Sequence, residues 1–267
     1  MKTKGKVFVV TGGGSGIGRE LVLNLLKQGA SVAAVDISQP GLQETAELAG
    51  ADQERLSSHI LDVTDRSEVE ELPEIVISRH GAVDGLINNA GIIQPFVKLN
   101  NLEYEAIDRV LNINLYGVIY MTKAFLPYLL DRPEGHIVNV SSMGGFLPVP
   151  GQTLYGASKA AVKLMTEGLY SELLDTNVRV TVVFPGAVAT NITENSGVSA
   201  EVDPEEAASD YPSLPADEAA EIIVKGMEAD KYRVLVGRDA RTMDFLSRLA
   251  PKRAAKIIFN QMRDLLG

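Results

Sequence analysis

The sequence predicts an α/β protein: a doubly wound parallel sheet of about seven strands, helices on both faces, in a single domain over 1–267. Three observations carry this. Short apolar runs alternate with helical patterns along most of the chain. The first run ends in a glycine-rich turn that opens a helix, Thr11-Gly-Gly-Gly-Ser-Gly-Ile-Gly18. The other polar and glycine clusters also follow strands, which gathers them at the edge where such sheets bind ligands.

In order, Val7-Phe-Val-Val10 is a continuous apolar run, the pattern of a strand buried on both faces. The helix after the glycine turn runs through Leu21, Leu25 and Leu26 and stops at Gly29. Ser31-Val-Ala-Ala-Val35 is the second strand and ends at Asp36, ahead of a helix at about 41–49. Ser58-His-Ile-Leu61 ends at Asp62-Val63, and a helix covers about 66–79. Asp84-Gly-Leu-Ile87 ends in Asn88-Asn-Ala-Gly91. One long helical stretch is expected over about 103–130, through Ile107, Val110, Leu111, Tyr116, Met121 and Leu126. His136-Ile-Val-Asn-Val140 ends at Ser141-Ser142, and a helix over about 153–174 follows. Val178-Arg-Val-Thr-Val-Val-Phe184 ends at Pro185-Gly186. A helix at about 216–229 and Tyr232-Arg-Val-Leu-Val236 complete the sheet. Right-handed crossovers then make it doubly wound.

Composition narrows the function. The chain is 45% hydrophobic and 22% charged, which suits a globular protein with a sizeable core. Its 25 basic and 35 acidic residues leave a formal charge of −10. That argues against nucleic acid or an anionic membrane as the main partner. No cysteine is present, so disulfides, thiolate catalysis and Cys-ligated metals are excluded. His59, His80 and His136 show no metal-ligand spacing, so no metal site is expected. No apolar stretch is long enough for a signal segment or a bilayer span, and a cytoplasmic protein is expected.

The glycines at 12, 16 and 18 let the backbone turn tightly and approach a pyrophosphate at a helix N-terminus. Asp36 lies 20 residues beyond Gly16, at the end of the second strand. A carboxylate there binds the adenosine ribose hydroxyls and repels a 2′-phosphate; its other reading is a cap for the helix at 41–49. No Lys or Arg lies between Thr11 and Gly18, so the site reads as choosing NAD over NADP.

Tyr155 and Lys159 are four apart and share one helix face. Such a pair is either an ordinary surface contact or a proton-transfer pair. A phenol titrates near 10, and bringing it to about 7 takes about 4 kcal/mol of differential stabilisation. A lysine supplies part of that and a bound cofactor cation the rest.

Residues 191–215 carry prolines, acids and little apolar periodicity, and read as a substrate lid leaving the sixth strand. The tail at 240–266 reads as two amphipathic helices hinged at Pro251, with Lys252, Arg253, Lys256 and Arg263 on a basic face. Packing on the body or a sister subunit, walling a substrate pocket, and membrane contact are its three readings.

At this point the residues resemble the short-chain dehydrogenases/reductases. Thr11-x3-Gly-x-Gly18, Asn88-Asn-Ala-Gly91, Ser142, Tyr155-x3-Lys159 and Pro185-Gly-x-Val-x-Thr190 match in order, and the resemblance covers about 5–237. It implies a Rossmann-like fold and hydride transfer between NAD and a secondary alcohol or ketone. By the same resemblance Tyr155 is the general acid/base, and Lys159 lowers its pKa and holds the nicotinamide ribose. Ser142, rather than Ser141, donates to the substrate oxygen. Asn114, preferred over Asn112, holds a water in the proton relay. Gly12, Ser15, Gly16, Ile17 and Gly18 form the pyrophosphate turn, and Asp36 takes the ribose. Asp62 and Val63 contact the adenine, and Asn89, Ala90 and Gly91 line the adenosine side. Pro185, Gly186, Val188 and Thr190 hold the nicotinamide end. The family implies a homotetramer or homodimer built from the helices at 103–130 and 153–174.

A nicotinamide-binding regulator without turnover is the competing function; it would be expected to have lost Tyr155, Lys159 or Ser142, and all three are present. A sugar-nucleotide epimerase would want a different glycine spacing. The apolar stretch Met143-Gly-Gly-Phe-Leu-Pro-Val-Pro150 suggests a bulky hydrophobic alcohol as substrate.

Overall fold

The structure is a computed structural model in which residues 1–198 and 213–262 are described. Most of the segment read as a lid (199–212) and the end of the tail, with Arg263, Leu265 and Leu266, lie outside the described residues.

Seven strands form one parallel sheet: β1 (Val7–Thr11), β2 (Ser31–Asp36), β3 (Leu56–Ile60), β4 (Gly85–Asn88), β5 (Gly135–Val140), β6 (Val178–Pro185) and β7 (Arg233–Val236). The order across it is β3-β2-β1-β4-β5-β6-β7. Helices α1 (Gly16–Lys27), α2 (Gln39–Ala49), α3 (Arg66–His80), α4 (Tyr104–Leu111), α5 (Val118–Leu130) and α6 (Thr153–Glu172) make the crossovers. They are followed by α7 (Ile192–Asn195), α8 (Ala216–Glu228), α9 (Arg238–Leu249) and α10 (Pro251–Met262). No described helix is long and apolar enough to cross a membrane.

The period-2 alternation of β1 splits its side chains between two cores. Phe8 and Val10 face one core, where Leu21 and Leu25 of α1 meet Ile223, Val224 and Met227 of α8. Val7 and Val9 face the other, against Val69, Leu72 and Val76 of α3 and Met121, Phe125 and Leu129 of α5. Both faces of β1, β4 and β5 are therefore buried, which is why β1 reads as a continuous apolar run and β4 and β5 as mostly apolar ones.

The expected single helix over 103–130 is interrupted. Residues Asn112–Gly117 form a π-helical turn between α4 and α5. Apolar periodicity survives such a one-turn widening, so the pattern does not betray it. The tail does form two helices meeting at Pro251. Its inner face packs on the body: Ala254 and Ile258 bury against Leu147, with Met143, Phe146, Met243, Leu246 and Met262 around them.

One buried group sets an acid limit on the fold. His136 of β5 is wholly enclosed, with Nε2 at 2.9 Å from Thr181 Oγ1 and Nδ1 at 3.7 Å from Asp230 Oδ1. Burial, helped by the N-terminal amine and against the pull of Asp230, pushes its pKa down to about 3. The unfolded chain binds that proton from near 6.5, so stability is full above 6.5 and falls as pH drops toward 3. The slope reaches at most about 1.4 kcal/mol per pH unit. His136→Gln is expected to flatten the fall of Tm across that window, read by thermal melts at stepped pH. An unchanged slope would exclude His136 as its source.

Candidate active site

The crevice forms where the strand order reverses, between β1 and β4. After β1 the chain turns through Gly12, whose φ is +70°. The turn folds back so closely that a Cβ on Gly18 would lie 1.9 Å from the Gly12 carbonyl oxygen. Ser15, Gly16 and Ile17 complete the turn and open α1, presenting its unpaired N–H groups to the crevice.

At the end of β2 the Asp36 carboxylate is half-buried and locked from two sides. Oδ2 accepts from Gly14 N and Oδ1 from Ser38 N, both at 2.9 Å. The side chain that accepts from Gly41 N at the start of α2 is Ser38, so Asp36 is not that helix's cap. Asp62 Oδ1 accepts from the backbone and hydroxyl of Thr64, each at 2.8 Å. Val63 is buried against Gly117 of the π-helical turn.

The loop after β4 is pinned to β1. Thr11 Oγ1 accepts from Asn89 N and Ala90 N at 3.0 Å, and Asn89 Nδ2 donates to Thr11 O at 3.1 Å. The loop after β6 closes on the glycine turn from the other side. A Cβ on Gly16 would lie 3.2 Å from the Thr190 methyl. Pro185 is buried, Gly186 N donates to Val236 O at 2.9 Å, and Val188 bridges to Leu214. The segment after Thr190 continues across the mouth: Asn195 Nδ2 donates to Ser15 Oγ at 2.8 Å, and Ile93 N donates to Ser196 Oγ at 3.0 Å.

The reactive side chains converge beside Gly91. Lys159, 4% exposed, donates from Nζ to Val140 O at 3.0 Å. A Cβ on Gly91 would lie 3.0 Å from that Nζ and 3.2 Å from Asn114 Oδ1. Asn114 is fully buried in the π-helical turn. It is clamped to Ile92 by Ile92 N to Oδ1 and by Nδ2 to Ile92 O, both at 2.9 Å, and donates to Ser158 Oγ at 3.1 Å. Asn112 is exposed, which separates the two asparagines that the sequence left in competition. The serines separate too. Ser141 is buried and donates to Lys159 O at 2.7 Å, whereas Ser142 accepts from Gly144 N at 3.0 Å and stands close enough to the Tyr155 phenol to pull its pKa down.

Electrostatics depart from one expectation. Desolvation raises the Tyr155 pKa and outweighs the Ser142 hydrogen bond that lowers it. Burial also pushes the Lys159 ammonium down to about 8. The sequence leads to a phenol lowered by Lys159; in the structure burial sets the direction of its shift, and Nζ is engaged by the Val140 carbonyl.

A model of the short chain dehydrogenase family matches residues 6–200. The chain belongs to the short-chain dehydrogenase family. SadH of Mycobacterium tuberculosis is 38% identical over 252 residues, 92% of this chain and 91% of its own. The 3-oxoacyl-[acyl-carrier-protein] reductase FabG of Thermotoga maritima is 41% identical over 194 residues, 73% of this chain and 78% of its own. A short-chain dehydrogenase/reductase from Burkholderia phymatum, solved with NAD, superposes with a TM-score of 0.86 at 25% identity, over 95% of this chain and 96% of that one. One from Burkholderia cenocepacia, solved with NADP, gives 0.80 at 29% identity, over 97% and 99%. The family is one of oxidoreductases with a nicotinamide cofactor, and its Rossmann-like fold is the sheet described above.

The residues of this short-chain dehydrogenase fit such a cofactor. The glycines at 12–14, 16 and 18 put no Cβ between the turn's backbone and a pyrophosphate at those positions, and each Asp36 oxygen keeps a second lone pair for a ribose hydroxyl. Among the described residues, no group of three or more His, Cys, Asp or Glu could hold a metal.

Several site residues escaped the sequence reading. Arg19, one position beyond the glycine turn, donates to Gly14 O at 2.6 Å and pairs with Glu44 at 2.6 Å, so its charge is engaged beside Asp36. Arg19 lies directly after Gly18, just outside the stretch whose lack of Lys and Arg carried the NAD reading. Asn88 donates to Asn139 Oδ1 at 2.8 Å, and Asn139 to Thr166 Oγ1 at 2.9 Å, tying β4, β5 and α6 through the core. An asparagine inside the apolar run His136–Val140 was the available signal. Gln94 gave no signal at all; its role is taken up below.

Proposed function

We propose that this short-chain dehydrogenase interconverts a secondary alcohol and its ketone with NAD as the preferred cofactor. The observation that carries the reading is a buried lysine one helical turn beyond Tyr155 on α6, with Ser142 beside the phenol. Bound NAD supplies the hydride acceptor and, when oxidised, a positive charge at its ring. Tyr155 takes the alcohol proton at its phenolic oxygen during oxidation and returns it during reduction. Ser142 Oγ holds the substrate oxygen where charge develops. Lys159 has three ammonium protons, one of them on Val140 O, and a ribose hydroxyl accepts from another. Asn114, through its grip on Ile92, fixes the loop on which Gly91 lies, and a water bound near its amide passes the proton outward.

Asp36 carries the cofactor preference. With both oxygens held by backbone N–H groups it cannot swing away from a 2′-phosphate. Asp36→Ala is expected to move the NADP-to-NAD ratio of kcat/KM up by at least about tenfold. An unmoved ratio would remove Asp36 from this role.

The packing of α10 on the Met143–Leu147 turn supports a hydrophobic substrate, because that turn joins Met262 in one apolar cluster and also carries Gly144, where a Cβ would lie 3.3 Å from the Tyr155 ring. Exposed Tyr104, Tyr116 and Leu164 on the helices α4–α6 and the turn between them support assembly as a homodimer or homotetramer. The reaction is tested by turnover of secondary alcohols from small to steroid-sized with NAD and NADP in parallel, and of ketones with NADH. Silence in both directions from protein that binds NAD would overturn it.

A further inference from the structure

Helix α6 carries both Tyr155 and Lys159, yet it begins without a cap of its own. The first N–H groups of any helix lack intrahelical partners. At α6 the preceding residue, Gln152, gives no side-chain capping bond. The bonds come instead from Gln94, 60 positions earlier in the loop after β4. Gln94 is fully buried, and its Oε1 accepts from Leu154 N at 2.7 Å and from Tyr155 N at 3.0 Å. Its Nε2 donates to Gly151 O at 2.9 Å, and its own carbonyl accepts from Gln152 Nε2 at 2.7 Å. One amide thus joins the loop after β4 to the start of the helix.

The backbone of Tyr155 is in this way referenced to the segment that carries Gly91 and holds Asn114 through Ile92. We infer that Gln94 is a positioning residue: it caps α6 from outside and fixes the Tyr155 phenol against the loop on which the cofactor and substrate meet. This rests on the reading of Tyr155 as the acid/base. The amide suits the task because it accepts two helix N–H bonds and donates a third bond without placing a charge near the phenol. The group acting on the phenol is then the uncharged Ser142 from the turn after β5, while the Lys159 ammonium on the same helix is engaged by Val140 O.

Two variants separate positioning from plain structural support. Gln94→Met keeps the volume and removes all three side-chain bonds. It is expected to lower kcat by about 10- to 100-fold, the usual cost of a misplaced reacting group, with the NAD dissociation constant within about threefold of wild type. Gln94→Glu keeps the two capping acceptors and adds a negative charge near Tyr155. It is expected to recover kcat at alkaline pH and to shift the alkaline-rising limb of the kcat–pH profile upward by at least about half a pH unit. Equal losses of kcat, NAD binding and Tm in both variants, with an unmoved pH limb, would make Gln94 structural only. Should Gln94→Met fail to fold, the limb in Gln94→Glu decides alone. Tyr155→Phe run alongside tells the two failures apart. If it retains turnover, the acid/base assignment falls. If it is dead while Gln94→Met turns over at the wild-type rate, only the positioning role falls.

Discussion

Tyr155→Phe is expected to lower kcat by about 10²–10⁴-fold while leaving NAD binding within a few-fold of wild type. The substitution removes one oxygen and keeps the ring. Its partners, Ser142 and Lys159, remain in place and continue to hold the substrate oxygen and the cofactor, so affinity survives where proton transfer does not. Burial raises the phenol, so under the proposed reaction the wild-type phenolate gains population as pH rises, and alcohol oxidation is expected to speed up with pH. The variant loses that dependence together with its rate. Steady-state kinetics over pH and a fluorescence titration of NAD check both parts. A variant that keeps a tenth of the wild-type rate would place the acid/base elsewhere.

Lys159→Met is expected to cost turnover at least about 100-fold and yet raise Tm at pH 7. The ammonium sits at about 8 rather than 10.5 because the folded protein withdraws it from water. The unfolded chain therefore binds the proton more tightly than the native state does. Holding Lys159 charged below pH 8 costs on the order of 3 kcal/mol, and native stability rises with pH between about 8 and 10.5. Methionine removes that cost but leaves the Val140 carbonyl without its donor, a loss of about 1–3 kcal/mol. The first term lies at or above the top of the second, and each net kcal/mol is worth about 2–4 °C. The gain should shrink in melts repeated at pH 10, where the wild-type lysine is largely neutral. A variant that melts lower at pH 7, or by the same margin at both values, would refute this account.

The sheet was legible because its central strands are buried on both faces, and double burial writes itself as apolar runs such as Val7–Val10. The glycine turn and the Asp36 terminus were legible because backbone approach and strand ends are local properties. Partners were not. Asn112 and Asn114 look alike in sequence, but two helical positions put them about 200° apart, one in solvent and one in the core. The amphipathic tail announced an inner face without naming its target, the Met143–Leu147 turn more than 100 residues earlier. The direction of the Tyr155 shift needed the depth of burial, which a spacing of four residues does not contain. Gln94 is the extreme case, since a polar residue in a loop carries no trace of the helix it will cap.

The contact between α10 and the turn after β5 also has a place in time. A chain is made from its N-terminus, and every strand of the sheet precedes residue 238. The glycine turn, Asp36, Ser142, Tyr155 and Lys159 all leave the ribosome before Ala254 and Ile258 exist. A growing chain can therefore assemble its sheet and its crevice while the apolar turn beside Tyr155 still faces water. For that interval Leu147, Met143 and Phe146 are an uncovered sticky surface on an otherwise acidic molecule, and synthesis of α10 is what retires it.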